Sequence, residues 1–130
     1  MTYSSDRFEF VTTDAAAEIY EASNPIFEGI LREVRELSRK KPEATMSPGK
    51  VKLINSVLED LLKILKGEPA GKYLSELDDD SLPQVSDAVL TMVQFESALN
   101  SFQSRYYRYM GDLGQHLWIT KENVAKWQRV

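Results

Sequence analysis

Residues 82–110 read LPQVSDAVLTMVQFESALNSFQSRYYRYM, and this stretch carries the clearest periodic pattern in the chain. Apolar and aromatic residues recur in alternating steps of four and three, at Ala88, Met92, Phe95, Leu99, Phe102, Tyr106 and Tyr109. This spacing puts one continuous apolar seam along a helix, as in antiparallel bundles and coiled coils. Ser81 and Pro83 are typical of a helix start, and Gly111 and Gly114 of a helix stop. The stretch therefore predicts a long helix over residues 82–110.

A second long helix is predicted over residues 13–40. Thr12, Thr13 and Asp14 are residue types that cap helix N-termini. Apolar residues follow at helical spacing as far as Leu37, but Pro25 interrupts the pattern because proline removes a backbone donor from the helix interior. Two interpretations stay open: one helix over 13–40 that is kinked at Pro25, or two helices over 13–23 and 25–40.

A third long helix is predicted over residues 48–66. Ser47 and Pro48 favour its start, and Gly67 favours its end. Its apolar stripe, which includes Leu53, is broader than a surface helix needs, so it should contact neighbours on two sides. The three long helices predict an all-α fold, an antiparallel bundle with short accessory helices.

The remaining segments complete a single predicted domain over residues 1–130. Residues 1–12 should form an extended arm, and residues 111–130 should supply a short C-terminal helix, about 121–128, that packs on the bundle. The connection over 67–81 contains apolar residues that fit one short helical turn.

Composition narrows the class of protein. The chain has 130 residues, with 16 Lys and Arg, 20 Asp and Glu, one His and no Cys. Without cysteine there is no disulfide and no thiolate metal site, which favours the cytoplasm. No apolar stretch approaches the roughly 20 residues of a membrane span, and the N-terminus shows no signal-peptide pattern. The net charge of −4 argues against a protein that coats nucleic acid.

Motifs that could carry chemistry are incomplete. Gly67 to Lys72 has three residues between its glycines where a phosphate loop needs four. Ser47 and Lys50 match a bare Ser-x-x-Lys spacing without its companion motifs. Asp78-Asp79-Asp80 lacks the glycine and glutamate of a calcium loop, so helix capping explains it better. His116 is a general-base candidate with no partner in sequence. We therefore predict no catalytic residues, no metal site and no cofactor.

Charge is arranged in four blocks along the chain. Net charges are −5 over residues 1–31, +4 over 32–58, −6 over 59–96 and +3 over 97–130. If the three long helices run up, down and up, the two basic blocks meet at one end of the bundle. This end, where the first helix ends, the second begins and the third ends, is the predicted basic pole. As binding residues this pole would collect Arg35, Arg39, Lys40, Lys41, Lys50, Lys52, Arg105, Tyr107 and Arg108.

Two function classes follow. We expect a non-enzymatic protein–protein interaction or assembly module with a protein partner, and homodimerisation is plausible because the long first and third helices outreach the middle one. The alternative is nucleic-acid or phosphate-ligand binding through the basic pole, whose Lys50 and Lys52 lie in a first helical turn where cations are unfavourable. An enzyme would need a pocket where His116 meets carboxylates such as Asp112 or Glu122.

Overall fold

The computed structural model describes residues 8–128, and it is mostly helical with one small two-stranded sheet. The helical class predicted from the sequence is confirmed, whereas the sheet was not predicted. In chain order the elements are α1 (Asp14–Lys40), α2 (Pro48–Leu65), a short 3₁₀ turn (Pro69–Gly71), α3 (Val85–Tyr106), β1 (Tyr107–Met110), β2 (Gln115–Trp118) and α4 (Lys121–Gln128).

Helix α1 is one continuous helix of 27 residues. The Thr13 side chain caps it by accepting a hydrogen bond from the Ala16 backbone N–H at 3.0 Å. Pro25 lies inside the helix, so the alternative of two separate helices is wrong. Pro25 cannot donate to the carbonyl of Glu21, but both residues are exposed and water can bind that carbonyl. The proline therefore costs one hydrogen bond without ending the helix.

The three long helices share one apolar core. Six of the seven predicted seam residues on the third helix are buried: Ala88, Met92, Phe95, Leu99, Phe102 and Tyr106. Phe27 of α1 and Leu58 of α2 are fully buried in the same cluster. The seam prediction is wrong for Tyr109, which is 61% exposed.

Helices α2 and α3 run in the same direction. They begin side by side, because the Met46 backbone N–H donates to the Pro83 carbonyl at 2.8 Å just before both helices start. They also end side by side, since the Tyr106 hydroxyl donates to the Glu68 carboxylate, with 2.9 and 3.0 Å to its two oxygens. The up-down-up threading predicted from the sequence is therefore wrong.

Helix α1 runs opposite to both. Its end leads directly into the start of α2, and the ring of Tyr20 near its start stacks on Phe102 near the end of α3, with 5.7 Å between centroids. The Arg35 guanidinium, near the other end of α1, binds Glu96 of α3 at 3.1 Å.

The return segment, residues 66–84, is the reason for this topology. It leads back along α2 to the start of that helix. The Asn55 side chain holds it there with one donated and one accepted hydrogen bond. The Asn55 amide donates to the Leu77 carbonyl at 2.9 Å and accepts from the Leu77 N–H at 2.8 Å. Gly71 packs directly on the end of α2: a Cβ there would lie 1.8 Å from the Leu65 carbonyl oxygen. Only glycine fits this position without a backbone shift.

The predicted third helix is too long at both ends. It starts at Val85 rather than 82, because Gln84 is extended and forms an isolated bridge with Thr45. It ends at Tyr106, because residues 107–110 form β1, which pairs antiparallel with β2 from Tyr107↔Trp118 to Met110↔Gln115. Residues 111–114 make the turn, in which Gly114 has a φ of 67°.

The C-terminal region docks on the start of α1. Thr12 and Thr120 form an isolated parallel bridge, and Thr12 exchanges backbone hydrogen bonds with Ile119 and Lys121. The short helix predicted near 121–128 is confirmed as α4. The arm predicted over residues 1–12 is described only from residue 8, and residues 1–7, like 129–130, lie outside the described range.

The starts of α1 and α4 cap each other. The Thr120 hydroxyl donates to the Asp14 carboxylate at 2.6 Å and accepts from the Asn123 N–H at 3.0 Å. In return, the Glu122 carboxylate accepts from the Asp14 N–H at 3.1 Å. Acids at helix N-termini are favoured by the helix dipole, so this cluster stabilises the joint between the two helices.

Candidate interaction groove

An open groove of about 590 Å³ lies between α1 and α2. We call it the α1–α2 groove. Its walls are mostly apolar, and its residues are Pro25, Ile26, Gly29, Ile30, Glu33, Val34, Glu36, Leu37, Lys40, Lys50, Leu53 and Ile54.

Two large apolar side chains in this groove are left in water. Ile26 of α1 is 57% exposed and Leu53 of α2 is 56% exposed. Single exposed apolar residues are normal on protein surfaces, whereas these two line one concave surface. Leu53 belongs to the broad apolar stripe that the sequence showed on the second helix, yet within the described residues it lies outside the core.

The geometry of α1 explains why the groove is apolar on a surface helix. Phe27, Leu31 and Val34 turn toward the core and are buried. Ile26 and Gly29 lie on the outer side of the same helix, so α1 carries apolar or small residues on both sides of its middle part. Gly29 has open space around the position of its absent Cβ, so no side chain fills the groove there.

Charged residues border the groove. Lys40 at the end of α1 and Lys50 in the first turn of α2 lie at one end of it, and Glu33 and Glu36 lie along the α1 wall. Glu36 forms an ion pair with Arg39 at 3.3 Å. Because both side chains are exposed, this pair contributes little to the free energy of folding. The groove therefore offers an apolar floor with ionic groups at its edges.

The structure does not bring the predicted basic pole together. Arg105, Tyr107 and Arg108 lie where α3 ends, which is the opposite end of the molecule from Lys40 and Lys50. Arg105 lies over the ring of Phe10, with 4.0 Å from its guanidinium carbon to the ring centroid, and is 3.7 Å from the Glu68 carboxylate. The pole depended on the up-down-up threading, and the parallel course of α2 and α3 separates its members into two groups.

The group at the α1–α2 connection is itself partly paired. Arg35 binds Glu96 on α3, and Arg39 binds Glu36 on its own helix. Within residues 8–128, no side-chain partner accompanies the remaining four predicted residues, Lys40, Lys41, Lys50 and Lys52, and all four are exposed.

Tyr106 forms a hydrogen bond with a carboxylate at the other end of the molecule. Burial, and next the hydrogen bond that it donates to Glu68, raise the pKa of Tyr106 to about 12. The hydroxyl therefore stays protonated and joins the end of α3 to the return segment. This tyrosine was correctly predicted as a seam residue, but no sequence pattern indicated its carboxylate partner.

His116 lies on the exposed side of the hairpin. Its ring packs against Tyr107 and Tyr109, with 5.4 Å between centroids in each case. Trp118 continues the row inward, where its ring contacts Tyr107 at 5.1 Å and Tyr20 at 5.2 Å. His116 therefore packs between two tyrosine rings on the two-stranded hairpin.

The acidic run Asp78-Asp79-Asp80 has its carboxylate oxygens within 4.8 Å of one another, and all three residues are exposed. Asp78 accepts hydrogen bonds from the backbone N–H groups of Ser81 and Asp80, and these bonds lower the pKa of its carboxyl group. The run therefore shapes a turn, and the helix-capping interpretation is wrong, because the N-cap of α3 is Gln84 and no side chain caps that helix.

Comparison with known proteins does not assign the chain to a class. No protein-family model matches it, and no significantly similar protein is found among curated proteins or solved structures. Among residues 8–128, every helix is too short or too polar to cross a membrane.

Proposed function

We propose that this protein is a non-enzymatic interaction or assembly module that binds a helical protein segment in the α1–α2 groove. The observation that carries the proposal is the pairing of exposed Ile26 and Leu53 across one apolar concave surface. In this proposal, one rigid helical domain presents the groove, and it acts in the cytoplasm, which the absence of cysteine favours.

The shape of the groove suits a helix. It follows α1 from Pro25 to Lys40, which is about 22 Å at 1.5 Å per residue. A partner helix of about four turns fits this length and would place apolar side chains at spacings of three and four against the floor. Lys40 and Lys50 would meet acidic residues at one end of that helix.

The candidate catalytic groups have structural contacts that account for them. His116 packs between tyrosine rings, and Asp78 caps a turn. These contacts support a binding role over an enzymatic one.

The proposal is tested by photo-crosslinking in the cells that make the protein. A photoreactive amino acid is placed at Leu53, and in a control at Leu90, which is 62% exposed on α3 and lies outside the groove. We expect a discrete adduct with a polypeptide from Leu53 and a much weaker or different one from Leu90. Equal adducts at both positions, or none at Leu53, would contradict the proposal.

The second candidate function is nucleic-acid or phosphate-ligand binding. It is supported by Lys40, Lys41, Lys50 and Lys52, which flank the α1–α2 connection without side-chain partners in the described range. It predicts that affinity for a fluorescent single-stranded oligonucleotide falls steeply with salt, by about one power of salt concentration for each phosphate contacted. Binding that is absent at low salt, or that survives replacement of all four lysines by glutamine, would rule it out.

A further inference from the structure

We propose that the occupant of the α1–α2 groove is helix α1 of a second copy of this chain, packed antiparallel around a two-fold axis at Gly29. This inference rests on the proposed function and names the partner of the same groove. It follows from the residues on the outer side of α1 and from the distribution of charge along that helix.

The outer side of α1 is a continuous stripe opposite the core. At 100° per residue, its members all project within about 60° of the direction of Gly29. We call this stripe the outer α1 face, and its members are Ala15, Glu18, Ala22, Pro25, Ile26, Gly29, Arg32, Glu33, Glu36 and Lys40. All are exposed except Gly29, which is half-buried.

Small residues follow the centre of this face. Ala15, Ala22 and Gly29 are seven residues apart, which is two helical turns. Small side chains allow two helices to approach closely, and the open space at Gly29 provides a natural crossing point. Ile26 of each copy would then lie beside the axis, where its exposed side chain is covered.

Charge decides the direction of the second helix. On the outer α1 face, the half before Gly29 carries Glu18 and no basic side chain, whereas the half after it carries Arg32 and Lys40 beside Glu33 and Glu36. A parallel second helix would place like charges together. An antiparallel one places Glu18 of each helix near the Lys40 end of the other, which is the self-complementary arrangement that a two-fold interface needs.

The axis at Gly29 also fixes which charges meet. Glu18 and Lys40 lie eleven residues before and after Gly29, so Lys40 of each copy stands opposite Glu18 of the other. Both side chains are exposed, and within the described residues neither has an ion-pair or hydrogen-bond partner in its own chain. One dimer would therefore contain this pair twice.

Charge reversal tests the arrangement. Glu18→Lys and Lys40→Glu each replace two attractive pairs by two repulsive ones, so we expect each to weaken dimerisation by about tenfold in sedimentation equilibrium. The double variant restores opposite charges at both pairs. We expect it to recover the wild-type dissociation constant to within about threefold. Leu90→Lys, outside the groove, should leave the dimer unchanged.

The thermal midpoint of unfolding distinguishes weakened dimerisation from a general loss of folding. A lysine near the start of α1 and a glutamate near its end both oppose the helix dipole, so their effects on the thermal midpoint should add in the double variant. Dimerisation should recover in the same protein. A dimer that weakens further in the double variant would overturn the inference.

The remaining outcomes distinguish the inference from the proposed function. If the purified chain is a monomer at all concentrations while Leu53 forms an adduct with a different polypeptide, the second-copy inference fails and the proposed function stands. If the chain dimerises but both single reversals leave the dimer unchanged, it dimerises through another surface and the inference fails. A monomer that forms no adduct at Leu53 contradicts both.

Discussion

The clamp that Asn55 forms on Leu77 should be a principal source of stability outside the core, and Asn55→Ala tests it. The substitution removes two hydrogen bonds of 2.9 and 2.8 Å that join positions 22 residues apart. A hydrogen bond contributes about 1 kcal/mol to stability, and the Leu77 backbone groups, next to a buried side chain, would be left without their partner. We therefore expect a loss of about 2 to 3 kcal/mol.

Urea unfolding followed by circular dichroism measures this loss. For a chain of this size, 2 kcal/mol lowers the thermal midpoint by roughly 6 to 10 °C. Asn100→Ala is the matched control, because Asn100 is exposed on α3 and should change stability by less than about 0.5 kcal/mol. If Asn55→Ala is no more destabilising than Asn100→Ala, the clamp does not hold the return segment and the argument for its role fails.

Two further predictions concern the end of α2. Gly71→Ala forces a Cβ to within 1.8 Å of the Leu65 carbonyl oxygen and should cost on the order of 3 kcal/mol in urea unfolding, while Gly67→Ala, with open space around it, should be tolerated. The phenol of Tyr106 should titrate near pH 12 in the difference between wild-type and Tyr106→Phe absorbance at 295 nm. Its folded-state pKa lies above the unfolded value of 10, so its contribution to stability is complete below pH 10 and is lost as pH rises toward 12. A titration midpoint at pH 10 would contradict the buried contact with Glu68.

Local patterns in the sequence predicted the helices well. The seam on α3 is buried as far as Tyr106, and Ser47 caps α2 by accepting from the Lys50 N–H at 3.2 Å. These features depend on residues a few positions apart, which is the range that periodicity and capping rules describe.

The errors have a different physical origin. Tyr109 continues the helical spacing of four and three, but Tyr107 and Tyr109 also alternate as strand residues do. Pairing with residues 115–118 decides between the two, and the sequence pattern does not contain that pairing. A short run of aromatic residues beside a glycine turn is consistent with either structure.

The direction of α3 could not be predicted for a similar reason. It depends on whether residues 66–84 cross to a neighbouring position or lead back along α2, and the Asn55 side chain binds the middle of the return path. The basic pole was a consequence of the wrong direction. The groove, by contrast, had a signal in the sequence: Leu53 widened the apolar stripe of α2, and in the structure this exposed side chain lines the α1–α2 groove.

The joint between the starts of α1 and α4 has a consequence for how the chain folds. The contact of Asp14 with Glu122 connects positions 108 residues apart, so it forms only after nearly all the described chain has been synthesised. Contacts between such distant positions slow folding, since the loop must close before it is stabilised. On the ribosome, α1 and α2 can pair early, whereas the capping of α1 by residues 120–122 waits for the last helix. The first turn of α1 is therefore expected to acquire its protection from hydrogen exchange last.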